Sequence, residues 1–180
     1  VLKFIRDAVV LVMIAVFVFL ALQTTVQASV INGSCMEPNL YSGQRIVINK
    51  AAVYFDEWKR GEVIIFRPPE SPDTTPFIKR IIGLPGETVE IKGGKVYIDG
   101  VVLDENYIAE APRYSMEAVT IPKNHYFVLG DNRNHANDSH AGWTVPRENI
   151  LGEAWFTVWP LYFWGDLPVY TAASPLPVTP

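Results

Sequence analysis

Cysteine is almost absent from this chain, with Cys35 the one thiol among 180 residues. No internal disulfide is possible, so an exported domain built from it is held by packing alone. Histidine is scarce as well, and the three present lack both clustered thiols and a helical two-histidine spacing, which leaves no motif for a metal. No glycine-rich nucleotide loop occurs, and no cofactor is expected. The net charge is -4 and no basic block exceeds a pair such as Lys59-Arg60, so nothing offers nucleic acid an electrostatic footprint.

What the chain does have is one long apolar run. Ala8 to Val26 is interrupted only by Gln23, Thr24 and Thr25, close to the ~20 residues a helix needs to cross a hydrocarbon core. Lys3 and Arg6 precede the run and the first charge after it is Glu37, a bias that keeps the N-terminus cytoplasmic and places the rest outside. The expectation is a single-pass anchor in the plasma membrane over 1–28 and an extracytoplasmic domain over 29–164. A cleavable secretory signal is the alternative, since Val26-Gln27-Ala28 before Ser29 has the small residues of a cleavage site. Both readings export the same domain, which at about 150 residues is large enough for one core.

That domain reads as mostly antiparallel β. Residues 46–48, 63–66, 77–82, 89–91, 96–98, 101–103, 126–129 and 155–158 are rich in β-branched and aromatic side chains. Gly93-Gly94 and Asp99-Gly100 have the chemistry of two-residue hairpin turns, which makes 88–118 a hairpin-rich part. No segment beyond the apolar run has a helical period, although 146–151 suits a turn. Residues 67–76 and 130–142 read as loops, where chemistry often sits. From Gly165 to Pro180 the composition turns to Pro, Ala, Ser and Thr, which predicts a flexible tail.

Two features point to chemistry. Gly33-Ser34-Cys35-Met36-Glu37-Pro38 follows directly on the apolar run and holds the thiol, a candidate nucleophile beside a bilayer. The strand Phe77-Ile78-Lys79-Arg80-Ile81-Ile82 carries two adjacent cations, which alternation sends to opposite faces. An ammonium taken into apolar surroundings is penalised, and a neutral lysine amine is able to accept a proton from a hydroxyl or thiol. Taken alone, Lys79 reads first as an edge lysine snorkelling to solvent.

Three blocks in order decide between these readings: Gly33 to Pro38 with Leu40 behind it, Phe77 to Glu87 with its Gly83-Leu84-Pro85-Gly86 turn, and Gly130-Asp131-Asn132-Arg133 with Asp138-Ser139. Together they resemble the type I signal peptidases (signal peptidase I, family S26), membrane-anchored serine proteases with a Ser/Lys dyad that remove signal peptides from exported preproteins. The resemblance runs from the anchor to about Trp159 and implies a signal-peptidase-type β domain.

The resemblance puts Cys35 in the position of the nucleophilic serine and Lys79 in that of the general base. It assigns the Cys35 backbone N–H to the oxyanion hole, with Gly33 where some relatives carry a second hydroxyl donor. The family's lysine-orienting serine falls on Ala136, and the arginine after the Asp-Ser pair on His140. Asp131, Arg133 and Asp138 are implied as scaffold. Ile31, Met36, Leu40, Ile46, Phe77 and Ile78 are implied as walls of shallow pockets for an Ala-x-Ala site, with the substrate strand pairing to edges near Ile31 and Phe77. Two aromatic clusters, Tyr54, Phe55 and Trp58, and Trp155, Phe156, Trp159, Tyr162, Phe163 and Trp164, suit the headgroup level of a bilayer.

Other readings of the same residues stay open. They are a Cys/His dyad using His135 or His140, Ser34 as the nucleophile, and an impaired or engineered nucleophile variant that binds signal peptides without efficient cleavage. A thiol is partly ionised near neutral pH and needs less help from a base than a hydroxyl does.

Overall fold

The computed structural model describes residues 2–55, 57–71 and 75–167. It opens with helix α1 (Leu2–Thr25), a 24-residue element whose described side chains from Phe4 to Leu20 lie exposed. Such a Val- and Phe-rich stretch has only middling helix propensity in water. No helix among the described residues is long and apolar enough to cross a membrane. The stretch of α1 whose side chains are described without a break, 3–20, includes the charges Lys3, Arg6 and Asp7.

The apolar run does not stay helical to Ala28, as expected for an anchor over 1–28. At Val26 it becomes strand β1 (Val26–Val30), which pairs antiparallel with β2 (Arg45–Asn49), Val26 opposite Asn49 and Val30 opposite Arg45. The Lys50 N–H closes the ladder on the Thr25 carbonyl at 2.8 Å. The chain then forms α2 (Ala52–Phe55), a short helix in a region without helical period, followed by β3 (Val63–Phe66) and β4 (Phe77–Gly83).

A second sheet follows from β5 (Thr88–Lys92), β6 (Lys95–Ile98), β7 (Val101–Val102) and β8 (Met116–Thr120). Both expected hairpin turns are there, with Gly93, Gly94, Asp99 and Gly100 all at positive φ. The chain returns through β9 (His125–Leu129), β10 (Val145–Pro146), β11 (Ile150–Trp159) and β12 (Gly165–Asp166). The larger sheet runs β1-β2-β11-β3-β4-β9-β10 with β12 on β11, and the smaller β7-β6-β5-β8. The fold is mostly antiparallel β, as the sequence predicts.

Alternation distributes the core. Ile64 and Phe66 of β3 pack with Trp58, Ile81, Val128 and Trp143 on one face, while Val63 and Ile65 pack with Ile31, Met36, Leu40 and Ile46 on the other. A third cluster, including Ile82, Val89, Ile91, Ile121 and Phe127, joins the two sheets.

The first residues of the tail expected from Gly165 belong to the domain. Gly165 and Asp166 pair with β11 and Leu167 is buried in the second cluster, so apolar Leu167 extends the domain; the rest of the expected tail, 168–180, lies outside the described residues.

Gly83 marks the crossing from β4 toward the second sheet. A Cβ there would stand 2.3 Å from Ile121 Cδ1 and 2.7 Å from Val89 Cγ2. Gly83→Ala is therefore expected to destabilise the domain by about 1–3 kcal/mol through overpacking, lowering the urea midpoint with an unchanged slope; an unshifted midpoint contradicts this.

Candidate functional site

Strand β4 brings its two cations to opposite faces, and both are buried, Lys79 at 3% and Arg80 at 1% exposure. Arg80 takes the acid. Its Nε and Nη2 donate to Asp131 Oδ1 and Oδ2 at 2.8 and 2.7 Å, and its Nη1 to the Gly61 carbonyl at 2.6 Å. Asp131 also accepts from Asn39 Nδ2 at 2.8 Å, and Asn39 lies one turn beyond Cys35. The carboxylate thus ties the strand of Lys79 to the turn of Cys35.

Lys79 points the other way. Its Nζ lies 3.1 Å from Cys35 Sγ, donates to the Ile78 carbonyl at 3.0 Å and stands 5.2 Å from the centre of the Phe77 ring. Cys35 Sγ is 3.7 Å from the same Ile78 carbonyl. Thiol and amine, 44 residues apart in sequence, are in direct contact.

The turn that carries Cys35 is clamped by members of the 130–133 block to which the sequence assigned no role. The Asn132 N–H donates to the Cys35 carbonyl at 3.0 Å and Asn132 Nδ2 to the Ser34 carbonyl at 3.1 Å. Gly130 lets the chains touch, because a Cβ on it would fall 2.5 Å from the Cys35 carbonyl oxygen and 2.5 Å from Ala136 Cβ. The Gly130 N–H donates to Asp138 Oδ2 at 2.9 Å, and its carbonyl accepts from Arg133 Nε at 3.1 Å. Asp138 and Arg133 hold the backbone that Cys35 rests on. Gly33 sits at φ 95°, where a side chain is strained, which gives a local reason for glycine there.

Arg133 is itself fixed by a two-pronged pair to Glu105, with Nη1 to Oε2 at 2.7 Å and Nη2 on Oε1. Burial alone would lower its pKa, but the bound Glu105 carboxylate outweighs that and raises it. Burial, then the Glu105 charge, pushes the neighbouring Tyr107 hydroxyl up. His140 lies away from the thiol, its Nδ1 2.6 Å from Asp138 Oδ1 and its ring stacked on Tyr114 at 4.1 Å.

Cys35 and Lys79 line a cleft of about 1220 Å³, walled by 27–34 on one side and by Thr75 to Ile78 on the other. Ile31, Ile46, Phe77 and Ile78 line it, as do His135 and Asn137. Met36 and Leu40, placed in the same wall by the resemblance, do not line it; they are buried behind it in the second core cluster, where their apolar side chains support the turn. Two strand edges border the cleft. The outer edge of β1 has no partner among the described strands, and β4 pairs with β9 only from Arg80 onward, which leaves the edge at Phe77–Lys79 without one.

Among the described residues no group of His, Cys, Asp and Glu is arranged to hold a metal. Of the aromatic residues, Trp58 belongs to the core, whereas Tyr54, Phe55, Trp155, Trp159, Tyr162 and Trp164 are exposed.

Comparison with known proteins agrees with the three blocks. Residues 4–159 match the family described as signal peptidase, peptidase S26. The chain is 40% identical over 176 residues to a probable signal peptidase I-1 of Synechocystis sp., covering 94% of this chain and 90% of that protein. It is 40% identical over 161 residues to a signal peptidase I of Leptolyngbya laminosa, covering 86% and 79%. A crystal structure of a signal peptidase I from Enterococcus faecalis superposes with TM-score 0.49 at 34% identity, over 54% of this chain and 97% of that one.

The Arg80–Asp131 pair yields a stability test. Asp131→Ala, which removes the carboxylate from a buried guanidinium, should cost about 3–5 kcal/mol, and Arg80→Met combined with it should cost less than the sum of the two. Additive losses in urea unfolding would mean that the two groups do not act as a pair.

Proposed function

The chain belongs to the signal peptidase family, peptidase S26, and from that membership we propose that it is a membrane-bound endopeptidase removing N-terminal signal peptides from exported preproteins after an Ala-x-Ala-type site. The observation that carries the reading is the 3.1 Å contact between Lys79 Nζ and Cys35 Sγ at the floor of a cleft bordered by two unpaired strand edges.

In this reading the substrate enters as an added strand between β1 and the start of β4, its backbone bonded to both edges. Its small side chains face Ile31, Ile46, Phe77 and Ile78, where shallow walls exclude larger groups. Lys79 takes the Cys35 proton and sulfur attacks the scissile carbonyl. The Cys35 N–H, which no acceptor among the described residues takes, stabilises the oxyanion. Lys79 then returns the proton to the leaving amine, and water completes the turnover. Asp131, Arg133 and Asp138 act as positioning residues, through Asn39 and Gly130.

Support against the histidine alternatives is geometric: His140 is engaged with Asp138 and Tyr114, and Lys79 is the base in contact with sulfur. Ser34 lines the cleft too, but Cys35 is the residue that Lys79 reaches. In a detergent assay on an Ala-x-Ala preprotein, read by mass spectrometry, Cys35→Ser should cut at the same bond, Lys79→Ala should lose cleavage, and His135→Ala and His140→Ala should each retain it. Iodoacetamide should label Cys35 and stop the parent chain. Full labelling with unchanged proteolysis would remove Cys35 from the mechanism.

The reading includes an anchor. From Ala8 to Leu20 the side chains of α1 are apolar and exposed, and the helix's 24 residues span about 36 Å. The exposed rings of Trp155, Trp159, Tyr162 and Trp164 lie on or just after β11, which pairs with β2, the partner of β1. They suit the headgroup layer beside the anchor, with the N-terminus cytoplasmic and the β domain on the far side. Placing aspartate at Val12 and Val16 adds about 2.5–3.5 kcal/mol each to insertion. The doubly substituted chain should leave the vesicle fraction on flotation, and continued co-flotation would argue against α1 as the anchor.

A further inference from the structure

The nucleophile is sulfur, and that changes what the intermediate is able to do. Resting on the assignment of Cys35 as nucleophile, we propose that this chain is also an acyl-transferase: it passes the signal-peptide acyl group from Cys35 to a primary amine, such as the N-terminus of a second peptide, forming a new amide in place of hydrolysis.

The chemistry balances without an added reagent. In the first half Sγ bonds to the scissile carbonyl carbon, the C–N bond breaks, and the thiol proton leaves with the departing amine by way of Lys79 Nζ. The result is a thioester rather than the ester that a serine would form. A thioester has weak resonance between sulfur and carbonyl, and amines attack it far more readily, relative to water, than they attack an ester. In the second half the acceptor nitrogen bonds to the carbonyl carbon, the S–C bond breaks with its electron pair on sulfur, and the acceptor's surplus proton returns through Lys79 to Cys35. One amide is broken, one is made, and nothing is oxidised or reduced.

The site has room for the acceptor. By microscopic reversibility the incoming amine occupies the place that the leaving amine vacates, so the space that admits the product's N-terminus admits a peptide of like shape. At about 1220 Å³ the cleft exceeds the ~300–1,000 Å³ of sites for small ligands, and exposed His135 and Asn137 line it together with Cys35. The base needed for the second half already touches the sulfur, with Lys79 Nζ at 3.1 Å. Covalent capture also holds the acyl group in register against both strand edges while the amines exchange, which favours a bound acceptor over dilute solvent.

The test is cleavage of an Ala-x-Ala peptide by the full chain in detergent with increasing triglycine, the hydrolysed and triglycine-ligated fragments being quantified by mass spectrometry. The Cys35→Ser chain runs beside it. The expected result is a ligated fraction that rises with triglycine for the cysteine chain and is lost in Cys35→Ser, which cuts by hydrolysis alone. If the cysteine chain cuts and yields only hydrolysis at every triglycine concentration, or if both chains ligate equally, the transfer proposal fails while the peptidase reading stands. If the acyl group settles on Lys79 as a stable amide, the internal amine has displaced the external one and the proposal also fails. If neither chain cuts or becomes acylated, the peptidase reading falls and takes the inference with it.

Discussion

Two cations on consecutive residues of a buried strand are the constraint from which the rest of the site follows. Strand geometry forbids Lys79 and Arg80 from sharing a face, and apolar packing on both faces forbids either from reaching water cheaply. Each therefore needs a partner built by the fold. Arg80 has a carboxylate in a two-pronged pair, Asp131, which also binds Asn39 just beyond the thiol. Lys79 has the sulfur itself and the Ile78 carbonyl. The ion pair on one face fixes the register of strand and turn that brings Lys79 and Cys35 together on the other.

The loop 130–142 completes this arrangement by holding backbone rather than by offering chemistry. Gly130 is gripped at its N–H by Asp138 and at its carbonyl by Arg133, and its missing side chain lets the Cys35 carbonyl come close. Asn132 adds two hydrogen bonds to the same turn. Asp138 and Arg133, implied as scaffold by the resemblance, fix a peptide unit here, and a misplacement of about 1 Å in a reacting group has large effects on rate.

Much of this was legible beforehand, and the limits have physical causes. The hairpins at Gly93-Gly94 and Asp99-Gly100 showed in the sequence because positive φ leaves few residue choices. Lys79 stood out because a charge in an apolar strand is costly. Strand β1 was hidden, since Val26-Gln27-Ala28 merely continues an apolar run and turns into a strand only by pairing with β2. Strand β8 was missed because Met116 to Thr120 is largely solvent-facing and lacks alternation. Gly130 and Asn132 carry no local sign of their role, which exists only once two distant segments meet. Met36 and Leu40 lie one layer behind the wall that the resemblance implies, as a pocket wall and the core behind it draw on the same residue types.

In the proposed mechanism Cys35, with Lys79 as its base, bears the acyl group. Its most direct measurement is acid-quenched tandem mass spectrometry of the chain mixed with an Ala-x-Ala peptide, locating the covalent adduct. A hydroxylamine-labile thioester on Cys35, absent from the Lys79→Ala chain, is expected. An adduct on Ser34 or elsewhere, or one that forms equally without Lys79, would contradict it.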